Sequence, residues 1–355
     1  MVFGIVPPYL LARIADLDDE RFAAASEAAR RALRHAPRFR SARLNFSFDD
    51  SDNLILELTA GPDRTVSDAE QQETLPGVVV RSEGDDATGD TSTDEAYDGL
   101  GSTFSLFNDV YGRNSIDGAG LPLDATVHYG ELFDNAFWNG ERMVFGDGDG
   151  EIFGRFTASL SVIGHELAHG ITQYTAALEY AGQSGALNES ISDVFGALVE
   201  QHSLEQTAEE ASWLIGEGLF TERVEGAALR SLKAPGTAYD DDVLGRDPQP
   251  AHLDDFVVTD DDNGGVHINS GIPNRAFYLV AEALGGNSWE RAGQVWYDTL
   301  SLQLQPDCDF ASFAAATLQA AATRYGEDSE EVRAVESGWA GVGVTGAAID
   351  GEATA

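Results

Sequence analysis

The chain of 355 residues carries 61 acidic against 21 basic side chains, a formal charge of -40 at neutral pH. That surplus argues against nucleic-acid binding and against docking on anionic membrane surfaces, and no run approaches the ~18 apolar residues of a membrane span. One core does not serve a chain of this length, so at least two lobes are expected, and a single cysteine, Cys308, leaves no intramolecular disulfide to join them.

The opening "MVFGIVPPYLLARIA" is apolar but lacks a basic start, and Pro7-Pro8 interrupts it early. It reads as a poor signal peptide. The expectation is therefore synthesis in the cytoplasm, with residence there or export without a leader. "DLDDERFAAASEAARRALRHA" predicts a helix over 18–36, with acids at its start and arginines near its end to match the helix dipole. "SARLNFSF" and "NLILELTA" read as strands, and "GPDRTVSDAEQQETLPG" as a polar linker. Residues 1–65 thus form a separate, arginine-rich unit tied to a very acidic remainder, which suggests an intramolecular clamp. The acids beyond it fall in short runs such as Asp240 to Asp242 and Asp260 to Asp262, and Lys233 is the only lysine. Such a surface suits high salt, where screening removes self-repulsion.

Between 76 and 158 short β-type runs follow: "GVVVRSEG", "ATVHYG", "NAFWNG" and "RMVFGDGDG". Asn139-Gly140 and Asp147-Gly148 mark hairpin turns; "DGDG" lacks the glutamate of a calcium-binding helix-loop-helix. After 158 helical patterns dominate, over 158–177, 188–203, 272–284, 288–302 and 310–325, and the tail 346–355 reads as loose.

The chemistry lies in "SVIGHELAHG", residues 161–170. Four residues advance a helix by about 400°, so His165 and His169 share a face and can reach one metal ion. Glu166, about 100° round the helix, is placed to touch water at that ion. A catalytic zinc wants three protein ligands and one open position. Glu189, in "SGALNESISDVFGALVE", is the candidate third ligand. Asp193, one turn on, can accept a hydrogen bond from the far nitrogen of a ligand histidine. In "TDDDNGGVHINSG" a tight turn can set Asp262 against His267 and hold that ring ready to donate.

Together "VIGHELAHG", "GALNESISD", "NAFWNG…MVFGDGDG" and "DNGGVHINSG" resemble the thermolysin family of zinc metallopeptidases, from about residue 76 to about 345. The "VPPYLLARI" opening resembles the protealysin-type precursors, in which a compact propeptide covers the active site. The resemblance implies an α+β, two-lobed fold with the zinc site in the cleft: a β-rich lobe over 66–175, a helical lobe over 176–345, and a small α+β propeptide over 1–65. It implies zinc on His165, His169 and Glu189, supported by Asp193 and Asn188, with Glu166 activating water. Tyr180 and His267 would hold the oxyanion, with Asp262 orienting His267. Arg230 would grip a substrate carbonyl, and Asn135 and Ala136 would pair with substrate backbone. Phe153, Phe156, Val162 and Leu229 would build a pocket for a bulky apolar residue after the scissile bond.

Many family members also hold two calcium ions near the zinc. Glu200 and Glu217 match that cluster, but Ser161, Ser212, Leu214 and Gly218 stand where acids are expected. The double site is expected to be absent or reduced to one weak ion. The reading is a zinc endopeptidase made as a zymogen, monomeric, with peptide substrates and its own propeptide as partners. Two alternatives stand beside it: a catalytically silent homologue that binds peptides, and an N-terminal Pro-Pro-Tyr segment that docks a polyproline-recognising partner.

Overall fold

The computed structural model describes residues 3–34, 61–302 and 304–345. The strands expected in "SARLNFSF" and "NLILELTA", and the tail 346–355, lie outside the described residues. Near the N-terminus a short strand β1 (Phe3–Gly4) leads into helix α1 (Pro8–Ala15). Proline suits that first helical position, because its missing N–H has no partner there in any helix. Leu10, Leu11 and Ile14 give α1 its buried face. The helix expected over 18–36 begins only at Ala23, as α2 (Ala23–Arg34). Its leading acids serve as a cap instead: Asp19 accepts from Arg21 N at 3.0 Å and starts a 3-10 turn over Glu20–Phe22.

The segment expected as a linker contains β2 (Arg64–Asp68), with Val66 and Ser67 buried. It pairs antiparallel with β3 (Val78–Ser82), so partners on both sides override its polar sequence. Next comes an unexpected helix, α3 (Thr91–Ser105), capped by Asp90, which accepts from Thr93 N at 2.8 Å. Its polar run hides a narrow stripe, Ala96, Leu100 and Phe104, spaced four apart and buried. Strand β4 (Leu123–Val127) lies parallel to β2, and the hairpin of β5 (Ala136–Trp138) and β6 (Met143–Phe145) turns at Asn139-Gly140 as expected. The six strands run in the order β1-β5-β6-β4-β2-β3. "DGDG" forms no hairpin between strands. It is a loop folded round the Asp149 carboxylate, which collects the amides of Glu151 and Ile152 at 2.5 and 2.6 Å.

Helices α4 (Leu160–Gln173) and α5 (Gly182–Ser203) form the centre of the molecule and are buried over most of their length. They meet at two glycines: a Cβ on Gly196 would stand 2.4 Å from Ser161 O, and one on Gly164 3.0 Å from the Gly196 Cα. This close approach carries Glu189 toward the histidines of α4. A small pair, β7 (Leu214–Ile215) with β8 (Arg230–Ser231), and a second, β9 (Asp240–Asp241) with β10 (Gly245–Arg246), follow α5. Beyond them come α6 (Asp262–Asn269), α7 (Gly271–Leu284), α8 (Ala292–Leu300), α9 (Phe310–Tyr325) and α10 (Glu330–Gly341). α9 has the expected bounds, and α10 was not expected. Trp339 of α10 stacks on Trp296 of α8, centroids 6.1 Å apart and planes 7° apart. No helix among the described residues is long and apolar enough to cross a membrane.

Candidate active site

Helical spacing brings His165 and His169 together as expected: their Nε2 atoms lie 3.1 Å apart. Glu189 of α5 reaches the same point, with carboxylate oxygens 3.6 Å from His165 Nε2 and 3.5 Å from His169 Nε2. All three residues are buried. Both Nδ1 atoms are engaged at the far side of the rings, His165 with Asp193 Oδ1 at 2.7 Å and His169 with Asn188 Oδ1 at 2.8 Å. An acceptor there makes Nδ1 the protonated nitrogen and leaves each Nε2 with its lone pair free to bind. Glu189 Oε2 is buried with no hydrogen-bond partner, and against burial its carboxyl is held below the ordinary range by the surrounding histidines, a state an ionised carboxylate holds beside a cation. Two imidazole nitrogens, an unsatisfied carboxylate and outer acceptors that fix the tautomers fit a zinc ion.

Around this point stand the other expected residues. Glu166 is buried, and its Oε2 accepts from Trp138 N at 2.9 Å. Burial and the neighbouring Glu189 push its carboxyl well above the usual carboxylate range. Tyr180 O–H donates to Glu189 Oε1 and lies 3.2 Å from His267 Nε2. Asp262 holds His267 at two places, its Oδ1 2.7 Å from Nδ1 and its Oδ2 accepting from the backbone N at 2.9 Å. The turn that makes this possible runs left-handed through Gly264 and Gly265, φ 90° and 74°, where a side chain would be strained. Burial works against a charge on His267, but Glu189 and Asp262 prevail and raise it to about 9.

Arg230 is fully buried, its Nε and Nη2 donating to Asp193 at 2.9 and 2.8 Å. Burial opposes the Asp193 charge, yet Arg230 and His165 hold that carboxyl well below its ordinary range. Asn274 was not singled out from the sequence, yet its Nδ2 donates to Asp193 Oδ2 at 2.8 Å. Ser192 was likewise missed, its Oγ 3.0 Å from His169 Nδ1. Nothing local marks either residue; only the packing of α7 and the turn of α5 reveal them. Phe153, Phe156, Val162 and Leu229 are all buried in one apolar core, with the Phe153 and Phe156 rings 5.6 Å apart. At the expected calcium cluster the Ser161 hydroxyl partners Glu200, whose carboxyl is raised chiefly by burial. Glu217 is exposed.

The expected peptide-pairing edge is occupied by the chain's own N-terminal residues. β1 runs antiparallel to β5, with Gly4 opposite Phe137. Ile5 N donates to Ala136 O at 3.1 Å, Val6 N to Asn135 Oδ1 at 3.0 Å, and Arg230 Nη1 to Ile5 O at 3.0 Å. Tyr9 is hydrogen-bonded to Tyr239, so the Pro-Pro-Tyr segment lies against the body of the protein.

The family model described as thermolysin metallopeptidase, catalytic domain, matches residues 41–173, and that for the alpha-helical domain of the same peptidases matches 176–344. The chain belongs to the thermolysin metallopeptidase family, whose metal is zinc, and it is a metalloprotease. The match begins well before residue 76, where the sequence resemblance starts. An "Extracellular metalloprotease" of Pectobacterium carotovorum subsp. carotovorum is 51% identical, covering 97% of this chain and 96% of its own. "Protease PrtS" of Photorhabdus sp. (strain Az29) is 46% identical over 96% of this chain and 92% of its own. Among solved structures, the precursor of protealysin, a metalloproteinase from Serratia proteamaculans, is 49% identical. It superposes with a TM-score of 0.87 over 97% of this chain and 100% of that one. The expected cytoplasmic location is overturned, because close relatives are named extracellular and point to secretion. The apolar opening, read from sequence as a poor export signal and as resembling a propeptide, packs along β5.

Proposed function

We propose that the chain is a zymogen of a zinc endopeptidase, in which residues 1–65 act as an inhibitory propeptide on catalytic lobes 66–175 and 176–345. One observation carries this: residues 4 to 6 take the backbone partners Asn135, Ala136 and Arg230 beside the His165, His169 and Glu189 group. A bound peptide would need the same partners, so the two compete.

His165, His169 and Glu189 would hold a zinc ion, which would supply polarisation of the scissile carbonyl and a water that is nucleophilic near neutral pH. Glu166, steadied by the Trp138 amide, takes the proton from water and passes it to the leaving amine. Tyr180 and His267 donate to the oxygen on which charge develops, each contributing about 3 kcal/mol. Asp262 keeps His267 aimed, and Asp193 and Asn188 keep the two ligand imidazoles aimed. Arg230 grips the carbonyl beyond the cut, and Phe153, Phe156, Val162 and Leu229 favour a bulky apolar side chain there. The -40 charge supports a surface adapted to salt. With serine at 161 and 212, leucine at 214 and glycine at 218, the double calcium site is absent or reduced to one weak ion on Glu200 and Glu217; two calcium ions by elemental analysis would refute this. Full-length protein supplied with zinc should cut casein after a lag, shortening as it does so, while Glu166→Ala should do neither. Activity without lag or shortening would refute inhibition. Zinc binding without any cleavage would favour the silent, peptide-binding reading.

A further inference from the structure

Immediately before the peptide-pairing edge stands Asp134, fully buried, with neither carboxylate oxygen in a well-formed hydrogen bond and only the Asp149 backbone N–H nearby to favour its charge. It lies within hydrogen-bonding reach of Asp149, whose Oδ2 is also buried and without a donor. The other oxygen of Asp149 is satisfied by the amides of Glu151, Ile152 and Phe153. Two acidic groups that face each other out of water cannot both be ionised, and the donor they lack is a proton. Burial, with Asp149 and Glu151 nearby, raises the Asp134 carboxyl well above its ordinary range. The remaining charges about the pair are few. Glu151 is paired with Arg223 at 3.4 Å and accepts from Ala25 N at 3.0 Å, and Asp147 of the same loop is engaged with His128 at 2.8 Å. A metal ion is a poorer filling, since among the described residues only His165, His169 and Glu189 converge as a group able to hold one.

We propose that Asp134 and Asp149 share one proton, and that the pair is a positioning device fastening the peptide-binding edge to the loop that carries Phe153. The backbone frames this fastening. Gly146 N donates to Asn135 O at 3.0 Å and Gly148 N to Phe133 O at 3.3 Å, so Asp134 sits between two straps from the loop that Asp149 organises. With the proton present, Asn135 and Ala136 are held in register with the apolar pocket. Once it leaves, two like charges remain buried side by side, and the structure relieves them by parting the loop from β5. Asp134 touches no reacting atom; it acts through Asn135.

Difference infrared spectroscopy of the full-length protein near neutral pH tests the proton directly. The natural-minus-Asp134→Asn difference spectrum should contain a carbonyl stretch of a protonated carboxylic acid that the variant has lost, the raised Glu166 carboxyl contributing equally to both and cancelling, while the asparagine amide supplies a permanent donor in the same shape. In peptide hydrolysis, which rests on the proposed function, Asp134→Ala should raise KM about tenfold with kcat changed by no more than about twofold, whereas Asp134→Asn should recover most of that loss. Raising the pH should remove the infrared band and raise KM in the natural protein, with no matching rise in Asp134→Asn. The absence of that band from the difference spectrum, or a cation other than zinc that only the natural protein retains, would overturn the proposal. The infrared result needs no substrate, so it stands apart from any failure of peptide cleavage. If Asp134→Ala does not fold, the comparison with Asp134→Asn still decides.

Discussion

Glu166 and His128 show how one side chain's surroundings become a measurable property. Glu166 lies out of water beside Glu189 and accepts from the Trp138 amide at 2.9 Å. Replacing it with glutamine keeps size and burial but removes the proton carrier, so Glu166→Gln should lower kcat on the order of 10³-fold while zinc content by elemental analysis stays at one ion per chain. His128 lies between Asp147 at 2.8 Å and Asp90 at 3.2 Å. The hydrogen bond to Asp147, the charges of both carboxylates and the bond to Asp90 outweigh burial and raise it from 6.5 to about 9. A base whose folded pKa is raised contributes stability that is complete below 6.5 and is lost as pH climbs through about 9. The melting temperature of the natural protein should therefore fall toward that of His128→Gln across this window; two parallel curves would refute the assignment.

At the level of elements, the legible parts were those with a strong period and a buried face. Helices α4, α5, α7 and α9 show apolar residues at helical spacing, and the His-Glu-x-x-His run announces which face of α4 holds the chemistry. β2 and α3 were hidden because their stabilisation is not local. β2 is a polar strand accepted between two partners, and α3 buries its few large apolar side chains, Tyr97, Leu100 and Phe104, among small and polar ones such as Ser92, Thr93 and Thr103. α1 escaped notice because two prolines read as an interruption, whereas the second opens a helix. The link between β1 and β5 was invisible for the same reason: no residue spacing records a pairing across more than a hundred positions. It is nonetheless open to test. Val6→Pro deletes the N–H that Asn135 accepts, so the full-length variant should show a shorter lag in casein cleavage than the natural protein. An unaltered lag would show that this bond does not govern activation.

For the molecule as a whole, two charge patterns meet. The first, a formal -40 spread over the chain, repels itself in dilute buffer. The melting temperature should rise by several degrees between dilute buffer and molar sodium chloride, and a flat or falling curve would count against a salt-adapted surface. The second is the set of arginines that clasp the N-terminal unit to the body: Arg13 donates to Val243 O at 2.8 Å and to Asp242 O at 3.0 Å, and Arg31 stands 3.7 Å from Glu131. Composition foretold the acidic body and the arginine-rich N-terminal unit, whose arginines are about matched by its own acids. It could not foretell that the clasp is made largely to carbonyl oxygens, which salt screens less than it screens carboxylates.

The sheet order has a consequence for what activation means. While β1 is in place, β5 is an interior strand with both sides of its backbone satisfied. If the N-terminal unit is shed as proposed, β5 would become a bare margin, the kind of surface that recruits any extended chain nearby. For most proteins that would be a route to clumping; for one that consumes extended chains it is the means of feeding. On that proposal the latent form would hide its own stickiness, and release would create appetite and hazard in a single step.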